Sequence, residues 1–215
     1  MTILFDMDGT LIDSTPAILE SFDAAFKKMG VKFSNPEKII SLIGYPLDFM
    51  FEKLGVKVDK TDEFVMAYKA HYKTVATKKT VLIDGAREAI KLALTFAHMG
   101  VVTTKTSLYT KEILKYFGLL EFFKAVVGRE DVKNPKPHSE PILKALLLLN
   151  SDAKTAWIIG DTILDLMAAR EAKINSVGVL CGYGKKDDLA QFTDNITSNT
   201  LQAVTFIKDN FSKTS

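Results

Sequence analysis

Two aspartates one residue apart, Asp6 and Asp8 in the run Phe5-Asp6-Met7-Asp8-Gly9-Thr10, stand at the end of a short apolar stretch. Carboxylates that close repel one another, so the pair makes sense where a cation sits against it. Other polar residues gather in comparable places: Thr103-Thr104-Lys105, Asn134-Pro135-Lys136-Pro137, and Gly160-Asp161-Thr162 with Asp165 one helical turn further on. Together they supply carboxylates, hydroxyls and an ammonium. Clustered acids make a hard oxygen site, which suits magnesium. A lysine and threonine hydroxyls beside such an ion suit a bound phosphoryl group. His71, His98 and His138 are isolated in the sequence and Cys181 is the single cysteine, so zinc is not expected.

The elements that must position these groups alternate along the chain. Ile3–Phe5, Val101–Thr103, Ala125–Gly128, Ala156–Gly160 and Ser176–Leu180 each read as a short apolar strand. Strands without a polar face belong in a parallel sheet covered on both sides. Between them run amphipathic segments: Ala86–Met99 with Gly100 past its end, Ser107 to about Gly118, and about Asn199–Phe211. The expected fold class is therefore α/β, a Rossmann-like parallel sheet with helices on both faces, and the polar clusters fall at strand carboxyl ends, where such sheets bind ligands.

One stretch lacks strands. Pro16–Met29 reads as a helix with Thr15 as cap and Gly30 beyond it, followed by helices at Asn35-Pro36, Leu47–Leu54 and Asp62–Ala76. This is too long for a crossover, so a small all-helical domain is expected at 14–80, inserted into a core of 1–13 and 81–215. Polar linkers at 13–15 and 78–80 would be its hinges.

Composition narrows the partners. The 215 residues are 47% hydrophobic, ample for one core with an insertion. Net charge is +2 with the lysines dispersed, which gives no footprint for nucleic acid. Apolar runs such as Ile142–Leu149 are too short for a membrane span, and the amino terminus carries no signal-peptide pattern. A lone cysteine fits a reducing cytoplasm. Met7, Trp157 and Cys181 read as packing residues. Oligomeric state is not readable from the chain.

The order and spacing of these clusters resemble those of the haloacid dehalogenase-like hydrolase superfamily. Asp6-Met7-Asp8-Gly9-Thr10 resembles its first motif, Thr103 its second, Lys136 its third, and Gly160-Asp161-Thr162-Ile163-Leu164-Asp165 its fourth. The helical insertion resembles its smaller type of cap. Within it, Ile43-Gly44-Tyr45-Pro46-Leu47 resembles the loop that phosphoglycolate-phosphatase-like members hold near substrate, and Asp13-Ser14 and Gly182-Tyr183-Gly184 also match that subgroup. One departure is Thr104, which stands where the subgroup carries Asn.

The resemblance implies a magnesium-dependent phosphatase acting on a small phosphorylated metabolite, with phosphoglycolate as the leading candidate. Asp6 would attack phosphorus to form an aspartyl-phosphate, and Asp8 would protonate the leaving oxygen and later deprotonate water. Magnesium would be held by the Asp6 side chain, the Asp8 backbone carbonyl and Asp161, with Asp165 supporting. Thr103 and Lys136 would hold phosphate oxygens, Gly9 would let the backbone approach, and Thr104 and Gly44 would lie against substrate. Pyrophosphatase and nucleotidase activities use the same residues. A sugar phosphomutase shares the phosphoenzyme step and stays a minority reading, since the arginine-bearing cap loop expected of that relative is not seen. A dehalogenase would not need Asp8, and a silent binding module would have lost a motif residue.

Overall fold

Apolar residues on both sides of the first strand require cover on both faces, and that is how the chain folds. The computed structural model describes residues 1–212. β1 (Thr2–Phe5) and β2 (Ile12–Asp13) lead into four helices, α1 (Thr15–Lys28), α2 (Pro36–Ile40), α3 (Leu47–Lys53) and α4 (Thr61–Val75). The chain returns through β3 (Val81–Leu82), α5 (Ala86–Leu94), β4 (His98–Val102), α6 (Ser107–Tyr116), β5 (Ala125–Val127) and α7 (Glu140–Leu148). It closes with β6 (Ala156–Gly160), α8 (Ile163–Ala172), β7 (Asn175–Val179), α9 (Lys186–Leu189), β8 (Ile196–Thr197) and α10 (Thr200–Ser212).

Six strands form one sheet in the order β5-β4-β1-β6-β7-β8, and all neighbours pair parallel. Alternation along β1 sends Ile3 and Phe5 into an apolar cluster with Ala89, Ala93, Val204 and Ile207 of α5 and α10. Leu4 points the other way, into a cluster with Ile142, Leu146 and Ala169 of α7 and α8. Each fully buried aliphatic side chain contributes about 1.5–3 kcal/mol, so both faces hold the sheet.

The insertion is an all-helical cap with its own aromatic core. α1 buries Ala17, Ile18, Ser21, Phe22, Ala25 and Phe26 along one stripe. Phe22 meets Phe51 of α3 at 4.7 Å between ring centroids and Tyr68 of α4 at 5.0 Å. Pro16 opens α1, Ser14 takes the N-cap position in place of the expected Thr15, and Gly30 turns the chain at φ +68°.

The end of one expected helix is corrected. The helix expected to run to Met99 stops at Leu94, and His98–Val102 form β4, in register with β1 from Thr2↔His98 to Phe5↔Val101. Gly100 is therefore not a helix terminator but a mid-strand residue whose Cβ would lie 3.0 Å from a Leu4 methyl. The apolar run before residue 100 is the first half of a central strand. The expected linkers at 13–15 and 78–80 adjoin β2 and β3, which pair antiparallel through Ile12↔Leu82 and Asp13↔Val81.

Candidate active site

Strand β1 ends at Phe5, and the Asp6 amide still donates to the Ile159 carbonyl of β6 at 2.9 Å. This fixes Asp6 at the carboxyl edge of the sheet, between strands whose ends carry the other motifs. The chain then turns tightly: the Leu11 and Ile12 amides both donate to the Met7 carbonyl, with Met7 fully buried as packing. Gly9 has φ +82°, and a Cβ there would fall 2.2 Å from an Asp161 carboxylate oxygen. Only glycine lets this turn and Asp161 occupy the same space.

The fold brings Asp6, Asp161 and Asp165 together, one carboxylate oxygen of each lying within 4.8 Å of the others and every residue buried. Lys136 enters the cluster from the loop before α7, its ammonium donating to Asp6 at 2.7 Å, Asp165 at 2.5 Å and the Val102 carbonyl at 3.1 Å. Asp165 serves two purposes at once. One oxygen takes Lys136, while the other caps α8 by accepting from the Thr162 amide (3.1 Å) and hydroxyl (2.7 Å). Asp161 accepts from the Thr10 hydroxyl at 3.0 Å and the Tyr183 amide at 2.9 Å.

Electrostatics follow from this crowding. Burial, then the neighbouring Asp165 carboxylate, push Asp6 up to about 7, although Lys136 opposes them. Burial, with Asp6 and Asp165, also pushes Asp161 up. Burial alone would lower the Lys136 ammonium, but Asp165 and Asp6 outweigh it and the net shift is upward. Three buried carboxylates against one ammonium leave excess negative charge among oxygen donors. That donor set fits a hard divalent cation such as magnesium.

Asp8 lies apart from this cluster. Ser14 donates to one of its oxygens, and the Lys105 ammonium pairs with the other at 3.1 Å. Asp8 lines a cavity of ≈ 310 Å³ between cap and core. Lys105 also donates to the Tyr72 hydroxyl of α4 at 2.8 Å, so one core lysine joins Asp8 to the cap. Thr103 is buried at the end of β4, its amide on the Val127 carbonyl and its hydroxyl accepting from the Lys105 amide. Thr104 and Gly44, both expected against substrate, hydrogen-bond each other: the Thr104 hydroxyl donates to the Gly44 carbonyl at 2.8 Å. They line the cavity wall as a cap–core contact.

Sequence reasoning named no role for Lys105, Thr10 or Tyr183. Lys105 stood in view, two residues after Thr103. Thr10 and Tyr183 stood within matched motifs, but their contacts to Asp161, 151 and 22 residues away, gave no signal.

The family profile described as haloacid dehalogenase-like hydrolase matches residues 3–179. A phosphoglycolate phosphatase of Aquifex aeolicus is 33% identical over 186 residues, covering 85% of this chain and 86% of its own. Pyrophosphatase PpaX of Anoxybacillus flavithermus is 31% identical, with 89% and 88% covered. A solved haloacid dehalogenase-like family hydrolase from Streptococcus pneumoniae superposes with a TM-score of 0.86 at 28% identity, over 95% of this chain and 97% of that one. With four motifs assembled at one sheet edge and a family match spanning most of its length, the chain is an enzyme of the haloacid dehalogenase-like hydrolase family.

Proposed function

We propose that this enzyme is a magnesium-dependent phosphatase that cleaves a small phosphomonoester through an aspartyl-phosphate on Asp6. The observation that supports this best is the separation of the paired acids. Asp6 sits in the buried acid cluster against Lys136, whereas Asp8 lines the cap–core cavity against Lys105. One carboxylate is placed to attack, and the other to exchange protons with a group in the cavity.

Asp6 attacks phosphorus, and the bond to the leaving oxygen breaks as Asp8 gives that oxygen a proton. Asp8 then takes a proton from the water that hydrolyses the aspartyl-phosphate, which restores both carboxyl groups. Lys136 and Thr103 hold the non-bridging oxygens, and Gly9 leaves room for the phosphate beside the backbone. Asp6, the Asp8 carbonyl and Asp161, with Asp165 in support, would hold magnesium, whose positive charge would offset the repulsion between carboxylate and phosphate. Residues 14–80 act as a cap that closes over substrate and excludes water. Among the described residues no helix is long and apolar enough to cross a membrane, and we place the enzyme in the cytoplasm with a small phosphorylated metabolite as its substrate.

Phosphoglycolate is the substrate suggested by the resemblance, and pyrophosphate is the second reading, favoured by the relative named as a pyrophosphatase. The phosphomutase reading lacks support in residues 14–80, which contain no arginine. The test is phosphate release from a panel of phosphomonoesters and pyrophosphate, with magnesium and with chelator. Release that requires magnesium is expected; no release from any compound would overturn the reading.

A further inference from the structure

The cavity beside Asp8 holds information about the leaving group, because Asp8 is the residue that protonates the leaving oxygen. Its ≈ 310 Å³ would hold roughly ten waters, far more than a two-carbon acid fills. Four tyrosines, Tyr45, Tyr68, Tyr72 and Tyr109, line it together with aliphatic side chains that include Ile18, Leu47 and Val65. Tyr68 and Tyr72 stack at 5.5 Å and 12°, and Tyr109 meets Tyr72 edge-on at 5.4 Å. Tyr72 is almost fully buried, its ring against Tyr68 and under the Lys105 ammonium at 4.6 Å, so the ring surface that meets a ligand belongs to the half-buried Tyr45 and Tyr109.

Charge points the same way. Lys105, the cation nearest Asp8, is held by Asp8 and Tyr72. Arg129 faces Asp48 at 3.9 Å and donates to the Val132 carbonyl at 3.3 Å. Setting aside the Asp8–Lys105 pair, the wall carries three acids (Asp48, Asp62, Glu130) and two cations (Lys69, Arg129), a net charge of −1. Such a wall gives little net attraction to a leaving group that carries its own carboxylate.

The geometry points to a substrate whose leaving group is an uncharged, ring-bearing alcohol, seated on the tyrosine and aliphatic wall. This rests on the phosphatase reading and narrows its substrate class away from phosphoglycolate. Apolar area and ring contact raise binding of the leaving group, while Asp8 at the cavity edge meets its oxygen.

The test compares kcat/KM in saturating magnesium for 2-phenylethyl phosphate, ethyl phosphate and phosphoglycolate. The first two release unactivated primary alcohols, so a difference between them reports the ring and not the chemistry. The phenyl ester should exceed both others at least tenfold. In Val65→Asp, which adds charge to the apolar wall, the ratio of phenyl to ethyl ester should fall at least fivefold, with unfolding temperature checked in parallel. Tyr109→Leu, which removes a ring but keeps the surface apolar, should lower the same ratio and serves if the aspartate variant does not fold. Phosphoglycolate ahead of the phenyl ester, or equal rates for phenyl and ethyl esters, would overturn the substrate class while leaving a phosphatase. Failure of all three esters and pyrophosphate to release phosphate would overturn the phosphatase reading itself.

Discussion

Asp6 and Asp8 are separated by one residue yet occupy different electrostatic worlds, and single substitutions should separate their roles. Asp8→Asn keeps the backbone carbonyl assigned to magnesium and the side-chain shape, but removes the transferable proton. Turnover should fall by about 10²–10⁴-fold, the usual worth of a positioned acid–base group. Magnesium affinity, followed by calorimetric titration, should be nearly unchanged; a retained rate would sink the assignment. Lys136 is a different case, since its ammonium is wedged between Asp6 and Asp165 inside the protein. Lys136→Met leaves both carboxylates buried without that partner, and breaking a buried pair from one side costs about 3–5 kcal/mol. Urea unfolding in chelator should show that loss, and added magnesium should recover part of it. An unaltered midpoint in chelator would mean that Lys136 does not compensate the acid cluster.

At the scale of elements, cap and core meet where Thr104 follows β4 and Gly44 follows α2. Thr104→Val preserves shape but leaves the Gly44 carbonyl without its hydroxyl donor. A net hydrogen bond is worth about 0.5–1.5 kcal/mol, so closure should weaken by roughly two- to tenfold. The expected readout is a KM raised by that factor with kcat within twofold; an unchanged KM would show that this contact does not report on closure. Gly44 itself resists replacement, with φ +107° and a Cβ position 3.2 Å from a Thr162 methyl. Legibility at this scale depended on length and burial. Ala156–Gly160 could be read to the residue, because a continuous apolar run bounded by polar groups has one easy interpretation. His98–Val102 could not, since a strand buried on both faces follows α5 with almost no polar break, and the apolar period of the helix runs on into it. β2, β3 and β8 are two residues each, and only a neighbouring strand makes them strands.

For the whole molecule, the motif residues were legible because a parallel sheet delivers every strand end to one edge, whatever the sequence distance. The partners of those residues were not. Lys105 on Asp8, Thr10 and Tyr183 on Asp161, and Thr104 on Gly44 arise from three-dimensional closeness that no local pattern encodes. This crowding of acids has a consequence for stability that can be measured without substrate. In the metal-free enzyme Asp6 is held up to about 7 by burial and then by Asp165, against 3.8 as its ordinary value. Asp161 is shifted in the same direction. Between those values the folded state binds more protons than the unfolded chain, so stability falls as pH rises. The contribution is fully present below about 3.8 and lost as pH passes about 7. Glu20, Glu130 and Glu140 are shifted downward by their hydrogen bonds or pairs, so their effects are confined to pH below the ordinary 4.5. Urea unfolding in chelator should therefore show declining stability from pH 5 to pH 7. Asp6→Asn should flatten that slope, since it removes the titrating group and keeps the volume. Magnesium, binding the ionised carboxylates of the folded state only, should stabilise more at pH 8 than at pH 5, and by about 2.7 kcal/mol in total wherever it stands at a hundredfold excess over its Kd. Stability in chelator that is level or rising from pH 5 to 7 would mean that the acid cluster is not under the strain of its own charge.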